Sequence, residues 1–419
     1  MDIRKPIEVK EAVSRVMQFA SLGKREEIDF HVCDGRRLAA PIMATNDVPS
    51  FHKSPYDGFA LRSVDTVEAS SENPIKFKVL ETIGAGELSK KQLAPFEAIR
   101  IMTGAELPEG ADCIIMFEQT GMFESQGQAF MEIYAPIPKD HNVMKKGSEV
   151  QEGEEVVSEG SLITPGVKAV LATFGYRKVM VSKQPIVGVL ATGTELLEID
   201  EPLEKGKIRN SNGYMVCSQI ERAGAEYKYY GKLPDVLEES YQKVKNILDE
   251  VDILITTGGV SVGDFDLIPD IYKKLNAKLL FNKIAQRPGS VTSVAVKDET
   301  LLFGLSGNPS ACYVGFELYV RPVIQTALHN KTPFLQRTKA QLMDDFPKPS
   351  SFTRFVRGYY RFGSNGLEVY LAGQDKSNVV TSLAHSTCFI ELPGGSEGYQ
   401  KGDFVNIILT DHIQGATEF

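Results

Sequence analysis

Apolar positions recur along this chain in several different rhythms, and the changes of rhythm mark its domains. Val9, Ala12, Val13, Val16, Met17 and Ala20 fall on one side of a helix, which predicts an amphipathic helix over 8–21 that stops near Gly23. Residues 75–135 turn strand-like. Phe77–Ile83 and Cys113–Phe117 are β-prone, and Gly84-Ala85-Gly86 and Pro108-Glu109-Gly110 supply turns. Residues 143–182 mix short strands, turned at Gly153 and Gly160, with a helix over Val167–Phe174. From Ile186 onward strands and helices alternate. The strands are Ile186–Leu190, Glu226–Tyr230, Val251–Thr256, Lys278–Phe281 and Leu301–Leu305, and the helices between them carry Met215, Val216 and Ile220 or Leu237, Val244 and Ile247 on one side. Such alternation predicts a parallel, three-layer α/β domain. After Leu328 only strand patterns remain, at Phe352–Phe362, Leu367–Leu371, Cys388–Leu392 and Phe404–Leu409, with glycine-rich turns.

The expected fold class is therefore α/β plus β, in a multidomain chain. A discontinuous N-terminal domain (1–50 and 145–182) carries a β-rich insert (51–144). A three-layer α/β domain with a parallel-type sheet (183–330) and a C-terminal β-barrel (336–412) follow. A chain of 419 residues is long enough for several cores. With 42% hydrophobic and 24% charged residues, no apolar run near membrane length and a charged N-terminus, it reads as a soluble cytoplasmic protein. Five scattered cysteines without a CxxC or Cys/His cluster point to buried thiols, not to disulfides or zinc. A net charge of −9 argues against nucleic-acid binding, though not against a small anion held in a local pocket.

The chemistry centres on Val251–Asp270. An apolar strand runs into Gly258-Gly259 and then toward a helix, the arrangement that places a ligand crevice at the carboxyl edge of an open α/β sheet. Adjacent glycines let a backbone approach a phosphate, and Asp264 and Asp266 just beyond them make sense if a cation lies between acid and phosphate. A tight turn with solvated acids is the other reading of the same residues. Several loops are expected to leave that one edge: Thr192–Glu195, Asp235, Gly258–Asp266, Arg287–Ser290 and Ser306–Pro309. Together they would bring carboxylates, one guanidinium and glycine turns into a single pocket, suited to a divalent cation and a phosphorylated substrate. Neither a Ser–His–Asp order nor a nucleophilic-cysteine signature competes. Asp57 and Thr103, taken locally, are turn residues.

Four separated stretches resemble the signatures of the molybdopterin molybdenumtransferases. They are Ser54-Pro55-Tyr56-Asp57-Gly58-Phe59-Ala60, Met102-Thr103-Gly104-Ala105 with Pro108–Asp112, Thr257–Asp264, and Gly304-Leu305-Ser306-Gly307-Asn308-Pro309. The resemblance spans essentially the whole chain in the family's order. It implies a homodimer that takes adenylylated molybdopterin and molybdate as substrates, requires Mg2+ and releases AMP. It also implies a molybdopterin adenylyltransferase and molybdenum enzymes as possible protein partners, with no nucleic acid and no membrane. Asp57, Thr103, Glu195, Asp235 and Asp266 match the family's functional residues, with Glu195, Asp235 and Asp266 as the expected metal carboxylates. Asp57 and Thr103 are expected to face the α/β domain of the other subunit. Gly258, Gly259, Ser261, Gly263, Arg287, Gly289, Ser306, Gly307, Asn308 and Pro309 are expected to contact substrate. Departures from the family pattern are Ser306 for the first proline of a Pro-Gly-Asn-Pro turn, Arg287 and Ser290 for two lysines, and Thr194 and Glu149 where aspartate is common.

Two rival functions share parts of this pattern. An adenylyltransferase or nucleotide-processing enzyme built on the same α/β module would lack the flanking Asp57-Gly58 and Thr103-Gly104. A scaffold of the gephyrin type could dispense with the acids, which are present here.

Overall fold

The strand Ile253–Thr257 is buried along its whole length, with aliphatic and β-branched side chains on both faces. It occupies the middle of a six-stranded sheet in the structure, a computed structural model that describes residues 5–260, 267–364 and 366–410. Ile186–Ala191, Glu226–Lys232, Ile253–Thr257 and Thr300–Leu305 run parallel to one another, as the alternation predicts. One strand departs from that expectation. Ser293–Lys297 lies antiparallel between Thr300–Leu305 and Lys278–Phe281. It forms because Asp298 takes a positive φ of 53° and turns the chain directly back into Thr300–Leu305, leaving no room for a helical crossover.

Side chains alternate across the sheet and separate two cores. Val187, Val189, Ile253, Ile255, Leu301 and Phe303 pack on one face with Val216 and Ile220 of the helix Ser211–Arg222 and with Cys312, Phe316 and Tyr319. Leu190, Leu254 and Leu302 pack on the other face with Val244 and Ile247 of Leu237–Leu248 and with Ile268 and Ile271 of Ile268–Lys274. Three layers result. The helical stretch that begins at Pro309 is one run in three parts, α-helical Pro309–Gly315, π-helical Phe316–Val320 and α-helical Arg321–Ala327. The wide turn holds Glu317, only 2% exposed, where its carboxylate meets Arg222 and Arg321.

The C-terminal strands close into a barrel. Thr353–Gly363 pairs with Gly366–Leu371 on one side and Cys388–Leu392 on the other, and Arg337–Leu342 and Phe404–Leu409 complete the ring. Its interior is filled by Val356, Val369, Ile390 and Ile407.

Contacts divide the chain into two compact units. One comprises Met1–Ala39, Gly160–Ile163 and Lys178–Phe419, and the other Ala40–Glu159 and Thr164–Arg177. In the first, Arg25–Asp29 pairs antiparallel with Lys178–Ser182, although Arg-Glu-Glu-Ile-Asp carries almost no apolar signal by which a strand could be foreseen. The second contains a six-stranded sheet in which Gly58–Leu61 lies between Cys113–Met116 and Glu97–Ile101. No described helix is long and apolar enough to cross a membrane.

Candidate active-site cleft

Three strand ends are stitched together at the carboxyl edge of the α/β sheet. The Thr192 N–H donates to the Thr257 carbonyl at 2.9 Å, and the Gly258 N–H donates to the Leu305 carbonyl at 2.9 Å. Gly258 and Gly259 both take left-handed backbone, with φ of 87° and 64°. A Cβ on Gly258 would stand 2.7 Å from the Thr192 hydroxyl and 2.9 Å from its carbonyl, and one on Gly259 would stand 2.7 Å from the same hydroxyl. Conformation and space therefore both demand glycine at these two positions.

Above this turn opens a cleft of about 1010 Å³, to which Glu195, Asp235, Gly258, Gly259 and the Ser306–Pro309 turn all contribute. Glu195 and Asp235 are exposed, and neither carboxylate has an ion pair or hydrogen bond with a described residue. The Glu195 carboxylate folds back over Gly193, whose φ of 133° and missing side chain make room for it. In the Ser306–Pro309 turn, the Ser306 hydroxyl accepts from the Asn308 N–H at 3.2 Å, so the serine caps the turn locally, and Pro309 opens the long helix.

A smaller compartment of about 270 Å³ adjoins the cleft and shares Val291, Ser306 and Asn308 with it. Arg287 and Gly289 line this compartment and not the main cleft, which refines the expectation of a single pocket. The Arg287 guanidinium sits 6.0 Å from the Phe352 ring centroid and has no ion pair with a described residue. Arg354 completes the lining. It pairs with Asp375 at 2.8 Å, and its Nε is buried without a hydrogen-bond partner.

Asp57 and Thr103 meet in the second unit. Thr103 donates to one Asp57 carboxylate oxygen from its backbone N–H at 2.7 Å and from its hydroxyl at 2.8 Å. These bonds from Thr103, the backbone one first, hold the Asp57 carboxyl below its ordinary pKa, and the nearby Arg100 adds to the effect. Gly58 follows because its Cα lies against the Ile115 carbonyl, where no Cβ fits. Asp266, Ser261 and Gly263, together with Asp264, lie outside the described residues.

Other residues that line the cleft, among them Asn210, Asn212, Asn378 and Val380, were not foreseen as site residues. Asn210 and Asn212 flank Ser211 at the start of a helix. A run of polar residues there signals a cap, and here the Asn210 side chain does accept from the Gly213 N–H at 3.0 Å. Asn378 and Val380 come from the barrel region, far away in sequence, and carry no local signal.

Three family descriptions match successive parts of the chain. The MoeA N-terminal region (domain I and II) covers residues 7–175, a probable molybdopterin binding domain covers 188–326, and the MoeA C-terminal region (domain IV) covers 339–410. The chain is 52% identical over 416 residues to the molybdopterin molybdenumtransferase of Bacillus subtilis (strain 168), covering 99% of this chain and 97% of that one. The chain belongs to the MoeA family of molybdopterin molybdenumtransferases. Its MoeA relative in Staphylococcus aureus (strain Mu50 / ATCC 700699), also a molybdopterin molybdenumtransferase, is 49% identical over 97% of this chain and 96% of that one. A crystal structure of the molybdopterin biosynthesis MoeA protein from Pyrococcus horikosii superposes with a TM-score of 0.86 at 29% identity, covering 98% of this chain and all of that one.

Within this MoeA-family chain the described residues contain no group of three or more His, Cys, Asp or Glu side chains able to hold a metal ion. Glu195 and Asp235 are two carboxylates without described partners on one cleft, and Mg2+ commonly binds through one or two carboxylates, water and substrate phosphate. Thr194 lines the cleft with a hydroxyl, while its carbonyl accepts from the Lys207 ammonium at 2.5 Å.

Proposed function

We propose that the protein is a molybdopterin molybdenumtransferase that takes adenylylated molybdopterin and molybdate and releases AMP. The observation that carries this reading is a cleft at the sheet's carboxyl edge where a glycine pair, two uncommitted carboxylates and a serine-capped turn converge, in a chain of this family from end to end. A dinucleotide-like substrate needs such a mixture. Glycine turns admit phosphates to the backbone, and carboxylates orient a ring or hold a counter-ion.

Glu195 and Asp235 would hold Mg2+, joined by Asp266. Bound there, Mg2+ neutralises developing charge on phosphate oxygens. The chain's own residues act by position and electrostatics, without a side-chain nucleophile. Gly258 and Gly259 let the phosphate lie close to the backbone. Arg287, without an ion pair to any described residue and set in the adjoining compartment, would supply positive charge for an oxyanion there. That compartment's polar lining suits an oxyanion such as molybdate, and Ser306 and Asn308, common to both spaces, would align it with the adenylyl phosphorus. Ser261, Gly263, Gly289, Gly307 and Pro309 belong to the same proposed substrate contacts. Asp57 and Thr103 are proposed as catalytic residues of a homodimer, since an ionised carboxylate is held ready at the surface of their unit.

The reading is tested by incubating the protein with adenylylated molybdopterin and Mg2+, with and without molybdate, and quantifying AMP. Release that requires molybdate is expected. Equal release without it would instead favour a nucleotide-processing enzyme, and none from folded protein would favour a binding protein.

A further inference from the structure

The two loops that frame the cleft are joined by a single side chain. Asn212 is 8% exposed, and its Nδ2 donates to the Gly307 carbonyl at 2.8 Å. That bond ties the second residue of the helix Ser211–Arg222 to the middle of the turn shared by both compartments. The helix start is itself fixed by a chain of hydrogen bonds with every donor assigned. Gly213 N–H donates to Asn210 Oδ1 at 3.0 Å, Asn210 Nδ2 to the Tyr229 hydroxyl at 2.7 Å, and that hydroxyl to Glu198 at 2.9 Å. Burial, assisted by Glu198, pushes the Tyr229 pKa up, so the hydroxyl keeps the proton that this chain requires.

Asn212 makes this tie at a cost to the fold. Its Nδ2 must face Gly307, and its Oδ1 is left buried without a hydrogen-bond partner. Among the described residues lining the larger cleft, it is the one with such an orphaned side-chain atom. An apolar side chain of the same size would remove that penalty and give up one hydrogen bond to an exposed turn residue, two effects of similar size, so stability alone does not require an asparagine here.

We propose that Asn212 is a positioning residue, holding the Ser306–Pro309 turn at the distance from the Ser211–Arg222 helix that the reaction needs. The inference rests on the transferase reading above. Asn212→Leu keeps the volume and removes the tie. It should melt close to the parent's temperature, while kcat/KM for adenylylated molybdopterin falls by about tenfold or more. Asn212→Asp supplies a second readout. Ionised, it sets an oxygen against the Gly307 carbonyl, whereas protonated it can donate to that carbonyl. Its kcat/KM relative to the parent should therefore rise as pH is lowered, a recovery that a packing role does not produce.

Both variants are compared with the parent by AMP release and by equilibrium dialysis of adenylylated molybdopterin. Asn212→Leu as active as the parent, or an Asn212→Asp ratio independent of pH, overturns the inference. If Asn212→Leu does not fold, the pH ratio for Asn212→Asp decides alone. If the parent binds adenylylated molybdopterin without molybdate-dependent turnover, the transferase reading fails by itself. The dissociation constants then decide for Asn212, about tenfold weaker binding by Asn212→Leu supporting it and equal binding overturning it.

Discussion

Thr103 directs both its backbone N–H and its hydroxyl at the same oxygen of Asp57, at 2.7 and 2.8 Å. Those bonds lower the Asp57 pKa from an ordinary 3.8, so the carboxylate stays charged further into acid. A depressed folded-state pKa gives a contribution to stability that is present above the ordinary value and lost as pH falls through the lowered one. Thr103→Val removes the hydroxyl bond and leaves the backbone bond. The Asp57 midpoint, followed by carboxyl-carbon NMR, should move up toward 3.8. A midpoint unmoved by the substitution would mean that the hydroxyl does not hold the charge.

Gly258→Ala should harm the fold and the cleft together. The new methyl would stand 2.7 Å from the Thr192 hydroxyl on a backbone with φ of 87°. Left-handed backbone alone costs a residue with Cβ about 1–2 kcal/mol, and the overlap adds to this. Thermal melting should show the loss. Gly35→Ala, at φ of 71° with nothing within 4 Å of its Cβ, separates the backbone cost from the steric one and should be the milder change.

Glu195→Gln and Asp235→Asn should behave oppositely to the glycine change. Both carboxylates are exposed and unpartnered among the described residues, so melting should shift by no more than about 0.5 kcal/mol equivalent. AMP release should fall by about a hundredfold in each if these acids orient substrate and cation. Melting that drops with activity would assign them to the fold instead.

Arg287→Ala should act on binding of the anionic substrate. Its guanidinium lines the smaller compartment and stands 6.0 Å from the Phe352 ring centroid. Loss of a hydrogen bond to a charged partner, about 1.5–3 kcal/mol, would raise KM by about ten- to a hundredfold. Steady-state kinetics at several salt concentrations would test this, since the parent's KM should rise with salt more steeply than the variant's. Parallel salt dependence would remove Arg287 from the anion's surroundings.

How much of this was legible in the sequence depends on how local each signal is. The parallel strands, the glycine pair after Thr257 and the Asp57-Gly58 turn announce themselves within a few residues, because burial and left-handed backbone restrict composition. Ser293–Lys297 was missed, since a short strand placed by a positive-φ Asp298 looks like part of a loop. Arg25–Asp29 was missed because its pairing with Lys178–Ser182 bridges a whole inserted unit and its residues are polar. In the cleft, Glu195, Asp235 and the Ser306–Pro309 turn were foreseen. Asn212, Asn378 and the division into two compartments were not. Each depends on contacts between distant segments, which neither spacing nor composition encodes.

The measurement closest to the central claim is the stoichiometry of the reaction. Protein, adenylylated molybdopterin, Mg2+ and micromolar molybdate are incubated, and AMP and pterin-bound molybdenum are quantified in the same samples over time. The account predicts that the two rise together in equal amounts, and that both slow by about a hundredfold when Asp235→Asn replaces the parent. AMP accumulating without molybdenum on the pterin would contradict it, and would leave the cleft as the site of a hydrolase.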